Sequence, residues 1–361
     1  MSNGDFTQSL KDFRVIFEPN LASYLDRRIV DGQTLNQEFI RCLGEIKRIT
    51  LLPGAKRIRP ALAYFGYLIF NSETKPEVFK LGTALELFHS SALIYDDIID
   101  EGMTRRGEPT IEKNYQKYYQ NRFGDRHAVN HLAMSSALLA GDLAQTMADS
   151  VISSIENPAL RQLYFEMAFE LVGGQIDDCF GVGLSDLDDL NEENIIKMLK
   201  TKSGNYSIQK PLQMGMLLGG ASFDNSQFQI MSQIGQQIGL IFQFTDDILG
   251  IFGDEYKTGK SNISDIIEGK KTLLMLKTYQ NSNTVDKLRI RNILGNKNYH
   301  EQEINWLKEQ IISTKSLVSL VDYCHQLQKN ITDLAINNLD QSNLGIKFVL
   351  GLSNYLLNRS A

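Results

Sequence analysis

The sequence LIYDDIID, residues 93–100, places three aspartates in an apolar run that has the pattern of a helix. A related sequence, LIFQFTDDILG, occupies residues 240–250 and carries two more. A carboxylate in an apolar setting is costly unless a cation or metal ion meets it. Asp96 and Asp100 are four residues apart, so on a helix both project from one face. If the two groups of aspartates face one another, they form a strongly negative, oxygen-lined mouth.

We call Asp96, Asp97 and Asp100 the first cluster, and Asp246 and Asp247 the second cluster. Mg²⁺ prefers oxygen ligands, retains water molecules and is often shared with substrate phosphates. The clusters therefore predict metal-assisted diphosphate chemistry, with Asp96, Asp100 and Asp246 as metal ligands and all five aspartates in the catalytic group. A single Asp-Asp-x-x-Asp could instead be a helix cap or a calcium site. Two clusters in similar apolar frames favour catalysis.

The composition favours one helical domain over residues 1–361. The chain is longer than a typical domain, yet it has seven prolines, none after Pro211, and no linker rich in glycine, serine or charge. A hydrophobic fraction of 42% provides material for a large core. The net charge of −6 gives no reason to expect nucleic acid binding.

Three features predict a cytoplasmic protein. Cys42, Cys179 and Cys324 are scattered and lack zinc-site spacing, as expected of reduced thiols. The N-terminus lacks the basic and apolar regions of an export signal. No apolar run approaches the ~18 residues that a transmembrane segment needs.

Apolar residues spaced three and four apart predict helices along the chain, and no segment alternates as a strand would. The helix at about 77–101 is apolar nearly all round, which is typical of the centre of a bundle. Gly235 and Gly239 would permit a close helix crossing. The acidic residues 185–193 lack an apolar frame and are interpreted as a solvated loop and helix start. Other predicted helices cover about 5–30, 34–50, 128–153, 157–181, 192–218 and 226–250, followed by short helices and polar turns.

Basic residues accompany both clusters. A diphosphate site needs fixed cations, because metal ions alone would not balance two diphosphates and several aspartates, and arginine binds phosphate oxygens in a bidentate manner. A single Lys or Arg is usually a solvated surface residue, so the interpretation depends on their joint placement. The candidates are Lys56, Arg59, Arg105, Arg106, Lys202 with Ser203, Lys257, Lys260, Lys270 and Lys271.

The order of these motifs resembles that of the trans-prenyl diphosphate synthases, which elongate isoprenyl chains head to tail. The resemblance implies an all-α fold, a single large helical bundle around a central cavity, and a homodimer. It also implies Mg²⁺, three ions, as the cofactor. The matching sequences are Gly54–Pro60, residues 96–100, Arg105–Arg106, Gly141–Asp142, Gly174–Asp178, Lys202–Ser203 and residues 242–247.

The implied reaction joins isopentenyl diphosphate to an allylic diphosphate. The allylic diphosphate ionises, the C4 alkene of isopentenyl diphosphate attacks the carbocation, and a proton is lost. Arg105 and Lys202 are expected to be catalytic as well. Isopentenyl diphosphate is expected to contact Lys56, Arg59, His89 and Arg106, and the allylic diphosphate Arg105, Lys202, Ser203, Gln243, Lys260 and Lys270.

The chain departs from the family pattern in four places. Ala55 replaces the second glycine of the first motif, and Ser203 replaces a threonine while keeping the hydroxyl. Gly250 occupies a position where many members have an aspartate, so no third carboxylate ligand is expected there. The second metal site would then depend on Asp246 with Asp247 and water. Residues 359–361 carry only one, Arg359, of the basic residues that some members use to close the site.

Product length should depend on side chains before the first cluster. In the family, bulky residues four and five positions before the first aspartate stop growth at fifteen carbons, whereas Ala92 and Ser91 are small. One helical turn of about 5.4 Å is comparable to one isoprene unit, so Phe88, two turns before Asp96, could close the next level. We expect a C20 product or somewhat longer. The alternatives are a farnesyl (C15) product and an ordinary core role for Phe88.

Other protein classes fit less well. A terpene cyclase would need a hydroxyl at Gly250 and a glutamate at Asp254. A head-to-head synthase would not need the Lys56/Arg59 and Arg105/Arg106 sites. A non-catalytic subunit of a heteromeric prenyltransferase tends to lose its aspartate clusters, and here the first cluster is intact.

Overall fold

The computed structural model describes residues 3–253 and 262–359. Within these ranges the regular structure is helical apart from one hairpin of two short strands, β1 (Thr104–Arg105) and β2 (Glu108–Pro109). The predicted all-α class is confirmed.

The first nine α-helices are α1 (Asn3–Gly32), α2 (Gln37–Thr50), α3 (Ile58–Phe70), α4 (Pro76–Ile99), α5 (Ile111–Gln120), α6 (Arg126–Ser153), α7 (Pro158–Ile176), α8 (Glu192–Leu199) and α9 (Lys210–Leu218). The following ones are α10 (Ser226–Phe252), α11 (Ser264–Ile267), α12 (Leu273–Gln280), α13 (Thr284–Ile293), α14 (Glu301–Ser313), α15 (Ser316–Asn338) and α16 (Leu344–Arg359).

Two predicted helices change their winding part-way along. The helix predicted at 157–181 consists of α7 and a π-helical turn, Asp177–Gly181. The helix predicted at 192–218 is α8, a longer π-helical segment, Lys200–Gln209, and then α9. The extents are correct and the uniform α winding is wrong, because apolar spacing does not reveal where hydrogen bonds switch from i→i+4 to i→i+5. Such π segments are frequent at functional sites.

The hairpin was not predicted, because two-residue strands are too short for a detectable alternation. Its strands pair antiparallel, Thr104 with Pro109 and Arg105 with Glu108. Arg106 and Gly107 form the loop with φ of 52° and 81°. Two consecutive residues with positive φ define the type I′ geometry, whose twist matches that of the strands. Arg106 therefore holds a conformation that non-glycine residues rarely adopt.

The chain forms two compact units. The N-terminal unit comprises Gln8–Tyr64 and Glu73–Arg161. The C-terminal unit comprises residues 3–7, Phe65–Ser72 and the chain from Gln162 onward. One domain over residues 1–361 stays a prediction. Among the described residues, no helix combines the length and apolar character needed to cross a bilayer.

In the N-terminal unit, α4 packs extensively against α6. Gly141 of α6 makes this possible, because a Cβ there would lie 2.8 Å from Cζ of Tyr95. The Tyr95 hydroxyl donates a hydrogen bond to the Asp142 carboxylate. Tyr95 directly precedes the first cluster, so this contact anchors the end of α4 that carries the aspartates.

In the C-terminal unit, α10 crosses the π segment Lys200–Gln209. A Cβ at Gly239 would lie 2.8 Å from the carbonyl oxygen of Gly204, and one at Gly235 would lie 3.3 Å from Cα of Gln209. The predicted close crossing at these two glycines is confirmed.

The acidic residues 185–193 begin a helix, as predicted. Asn191 caps α8 by a reciprocal pair of hydrogen bonds with Asn194. Asp186 also lies 2.7 Å from Arg291, which pairs with Asp188 as well. These exposed pairs contribute little to stability, and the interpretation as a solvated loop and helix start holds.

Candidate active site

The first cluster lies at the C-terminal end of α4. Asp100 is the C-cap residue, and its N–H donates to the carbonyl oxygen of Asp96 at 2.9 Å. Asp97 is buried, Asp96 is half-buried and Asp100 is exposed. The helical spacing predicted for Asp96 and Asp100 is therefore present, with Asp97 turned inward.

The hairpin returns Arg105 onto this cluster. Its Nε donates to both carboxylate oxygens of Asp97, at 3.0 and 2.9 Å, and its Nη2 donates to Oδ1 at 2.6 Å. The same Nη2 lies 3.5 Å from Asp96 Oδ2. This is the charge-assisted fork geometry that arginine forms with a carboxylate. Arg105 folds over the first cluster as predicted, and its guanidinium is engaged with Asp97.

His89 lies among four guanidinium groups on the same unit. Burial lowers the pKa of its imidazole well below the usual range, and the positive charges of Arg59, Arg106, Arg105 and Arg57 lower it further. The ring is consequently neutral near pH 7, with one nitrogen able to donate and one able to accept. The charges of Arg59 and Arg106 thus act on His89, while Lys56 is exposed three residues before Arg59.

The side chains predicted to control product length lie on α4. Phe88 and Ser91 are buried, and Ala92 is half-buried. Phe88 precedes Asp96 by eight residues, about 12 Å along a helix. Their role in product length stays a prediction.

The second cluster lies near the C-terminal end of α10. Asp246 is partly exposed, whereas Asp247 is only 4% exposed. Gln243 donates to Asp247 Oδ1 at 3.0 Å, and Oδ2 has no hydrogen-bond partner among the described residues. Burial raises the pKa of Asp247 well above its usual range, and the charges of Asp265 and Asp246 raise it further.

The two π-helical segments bring Lys202 to Asp178, with which it forms an ion pair. Gly174 permits this approach, because a Cβ there would lie 2.4 Å from the backbone nitrogen of Lys202. Ser203 follows in the same segment and is half-buried.

The loop after α11 carries two lysines with different partners. Lys270 Nζ lies 2.6 Å from Glu268 Oε2 and 3.6 Å from Asp265 Oδ1. Lys271 donates to backbone carbonyls, including that of Ser185 at 2.6 Å. The predicted cations Lys257 and Lys260 lie outside the described residues.

Comparison with known proteins identifies the family to which the chain belongs. A family model described as polyprenyl synthetase matches residues 41–311. The chain belongs to the polyprenyl synthetase family. The predicted family and the predicted prenyltransferase activity are confirmed.

Two relatives of this polyprenyl synthetase are named geranylgeranyl diphosphate synthase. The protein of Saccharolobus solfataricus is 32% identical over 290 residues, which cover 79% of this chain and 80% of that protein. The protein of Sulfolobus acidocaldarius is 30% identical over 288 residues, 80% of this chain and 81% of that protein. A crystal structure of geranylgeranyl pyrophosphate synthase from Corynebacterium glutamicum, complexed with isoprenyl diphosphate and magnesium, has a TM-score of 0.86 and 26% identity, and covers 99% of this chain and 100% of that chain.

One buried charged residue beside the candidate site was missed in the sequence. Arg57 is buried, has a φ of 58°, and forms an ion pair with the buried Glu86. Its Nε lies 3.4 Å from Glu18 Oε1. The available signal was Glu86 itself, a carboxylate in the middle of an apolar helix that needs a cationic partner.

The donor set of this polyprenyl synthetase fits Mg²⁺. Both clusters offer carboxylate oxygens only, and the buried Oδ2 of Asp247 is an acceptor without a partner among the described residues. Within those residues, no three His, Cys, Asp or Glu side chains converge into a ready-made cage. Mg²⁺ bound by one or two carboxylates together with substrate phosphates needs no such cage.

Proposed function

We propose that this polyprenyl synthetase condenses isopentenyl diphosphate with an allylic diphosphate, head to tail and with Mg²⁺, to give the C20 trans-prenyl diphosphate. The observation that carries the proposal is the name shared by the two relatives at 30 and 32% identity, both geranylgeranyl diphosphate synthases. The small side chains of Ser91 and Ala92 support a product longer than C15, and Phe88 supports a limit near C20.

Isopentenyl diphosphate is proposed to bind through Lys56, Arg59, His89 and Arg106. The guanidinium groups near His89 supply positive charge, and burial, followed by these charges, lowers the pKa of its ring and keeps it neutral. A neutral imidazole can donate to a phosphate oxygen without adding to the repulsion among the arginines. The buried Arg57–Glu86 pair lies in the same unit and offers no further exposed charge.

The allylic diphosphate is proposed to bind through Mg²⁺ held by Asp96, Asp100 and Asp246, three ions in all. When bound, Mg²⁺ supplies Lewis-acid stabilisation of the negative charge that develops on a departing diphosphate. Arg105 orients Asp97 and partly neutralises Asp96. Lys202, Lys260 and Lys270 would offset the charge of the same diphosphate, and Ser203 and Gln243 would donate hydrogen bonds to it.

The test is product analysis. Purified protein is incubated with labelled isopentenyl diphosphate, Mg²⁺ and, separately, the C5, C10 and C15 allylic diphosphates. We expect elongation to stop at C20 in the wild type and to continue in Phe88→Ala. Phe79→Ala is the matched control, because Phe79 lies on the same helix but stacks on Tyr64 at 6.0 Å between ring centroids. A C15 limit would refute the C20 product, and binding of substrates without turnover would favour a non-catalytic subunit.

We also propose a homodimer. Phe165, Phe169, Val172 and Ile176 are exposed and follow helical spacing on α7, with Phe169 83% exposed. A continuous apolar stripe of this kind on a surface helix is typical of a protein interface, and the resemblance implies a second copy as its partner. Phe169→Glu should shift the mass measured by light scattering towards the monomer. Val285→Glu, at an exposed residue of α13, should not.

A further inference from the structure

Two lysines that are adjacent in the sequence, Lys270 and Lys271, have different surroundings. The Lys270 side chain is 32% exposed. The Nζ atom of the second lysine donates to three backbone carbonyls, those of Val182 at 3.3 Å, Gly183, and Ser185 at 2.6 Å. An ammonium group has three donors, so these carbonyls occupy all of them. Lys271 therefore has no donor left for a substrate.

The three carbonyls belong to the turn that follows α7 and its π-helical turn. This turn is tightly folded, because a Cβ at Gly183 would lie 2.1 Å from the carbonyl oxygen of Asp178. The N–H of Ser185 donates to the Gly181 carbonyl at 3.1 Å. The C-terminal end of a helix carries unpaired carbonyls and partial negative charge, so a cation is favourable there. Lys271 supplies that cation from a part of the chain 86 to 89 positions later.

The backbone on both sides of the two lysines has a defined geometry. Gly269 has a φ of 72° and ends α11 with a Schellman motif, in which the N–H of Lys270 donates to the Asp265 carbonyl at 2.9 Å. On the other side, the buried Thr272 is the N-cap of α12. Only two residues separate the end of one helix from the cap of the next. A contact that holds Lys271 therefore also restrains the backbone of Lys270.

We propose that Lys271 is a positioning residue, whose contacts with the turn after α7 hold Lys270 where it binds the allylic diphosphate. The proposal rests on the proposed function, which assigns Lys270 to that diphosphate. The turn follows Asp178, the ion-pair partner of Lys202, which is proposed for the same diphosphate. Lys271 thus joins the loop that carries one of these cations to the segment that pairs with the other. The Lys202 side is held separately, by the close approach at Gly174.

The experiment measures KM for each substrate and, in the substrate-free protein, amide hydrogen exchange by mass spectrometry. In Lys271→Met, KM for the allylic diphosphate should rise about 10- to 100-fold, because a binding group is misplaced. KM for isopentenyl diphosphate should not change. Exchange in residues 182–187 should become about 10-fold faster or more, because three hydrogen bonds from a charged donor are lost. Unchanged exchange would overturn the proposal and would make Lys271 a direct ligand of the substrate.

Lys277→Met is the matched control. Lys277 lies on α12, its side chain is 15% exposed, and it pairs with the Glu192 carboxylate. Because the Glu192 side chain is 44% exposed, the loss of this pair should change neither KM nor the exchange of residues 182–187. Equal effects in Lys271→Met and Lys277→Met would overturn the proposal. Lys271→Gln retains an amide donor and should give smaller changes of the same kind, and it provides the test if Lys271→Met does not fold.

A double variant separates this proposal from the proposed function. If Lys271 acts through Lys270, then Lys270→Met and the double variant Lys270→Met/Lys271→Met should have the same KM for the allylic diphosphate within about 2-fold. Losses that multiply would overturn the positioning role and leave Lys270 as a ligand. An unchanged KM in Lys270→Met would instead refute the assignment of Lys270 in the proposed function, and the positioning role with it.

Discussion

Arg359 Nη2 lies 2.5 Å from Asp246 Oδ1, so α16 ends on the second cluster. The same nitrogen lies 3.0 Å from Thr245 Oγ1 and 3.2 Å from the carbonyl oxygen of Phe242. The Arg359 side chain is mostly buried, whereas that of Asp246 is 41% exposed. A guanidinium group therefore already contacts an oxygen that we propose as a metal ligand, and we expect the two cations to compete for it.

Removal of this guanidinium should strengthen metal binding. In Arg359→Met without diphosphate, we expect Mn²⁺ to bind up to about fivefold more tightly, because an ion pair with a partly exposed partner contributes about 1 kcal/mol or less. Isothermal titration calorimetry gives the affinity. Arg289→Met is the control, since the Arg289 guanidinium lies over the ring of Trp306, with Cζ 4.0 Å from the ring centroid. Weaker Mn²⁺ binding in Arg359→Met would instead mean that the arginine orients Asp246 for the metal.

Asp247 should destabilise the metal-free protein as the pH rises. Its pKa is raised in the folded state, so its contribution to stability is greatest below the unfolded value of about 3.9 and is lost as the pH rises through the folded value. Asp247→Asn should therefore raise the free energy of unfolding more at pH 8 than at pH 5, by about 1.4 kcal/mol for each unit of the shift that falls between these two pH values. Urea denaturation with a chelator measures this. Asp333→Asn, at an exposed residue of α15, should show no such pH-dependent gain, and equal gains for Asp247→Asn at both pH values would contradict the burial argument.

His89 should affect the pH dependence of stability in the opposite direction, lowering stability as the pH falls. Because its pKa is lowered on folding, the unfolded chain binds the proton more tightly, and stability falls as the pH drops below about 6.5. Between pH 8 and pH 5, the wild type should lose more unfolding free energy than His89→Gln. The same urea series checks this, with His325→Gln on the exposed face of α15 as the control. If the wild type and His89→Gln lose the same unfolding free energy between pH 8 and pH 5, the pKa of His89 is not lowered on folding.

Two adjacent glycines should respond oppositely to alanine. A Cβ at Gly174 would lie 2.4 Å from Lys202 N and 2.6 Å from Lys202 Cα, so backbone would have to move, at a cost of about 1–3 kcal/mol. A Cβ at Gly173 would meet nothing within 4 Å, and alanine there should stabilise α7 by about 0.5–1 kcal/mol. Chemical denaturation of both variants provides the comparison. Stabilisation of the protein by Gly174→Ala would show that α7 and the π-helical segment Lys200–Gln209 move apart easily.

The sequence predicted those features that depend on local periodicity. The spacing of Asp96 and Asp100 on α4, and the crossing at Gly235 and Gly239, follow from helical geometry and from the small size of glycine. The partners of Lys271 could not be predicted, because they are backbone carbonyls of a distant turn whose position depends on tertiary packing. Arg105 was placed near the first cluster but not as the partner of Asp97, since that pairing depends on a hairpin with no sequence periodicity.

The hairpin loop Arg106–Gly107 is constrained more strongly in its number of residues than in their types. Side chains alternate between the two faces of a strand, so a one-residue shift turns every side chain to the other face. Deletion or insertion of one residue in the loop would therefore shift the pairing of Thr104 and Arg105 with Pro109 and Glu108, and so disturb the strand that holds Arg105 against the buried Asp97 carboxylate. Insertions and deletions in this loop should be eliminated in evolution even where substitutions at its exposed positions are accepted.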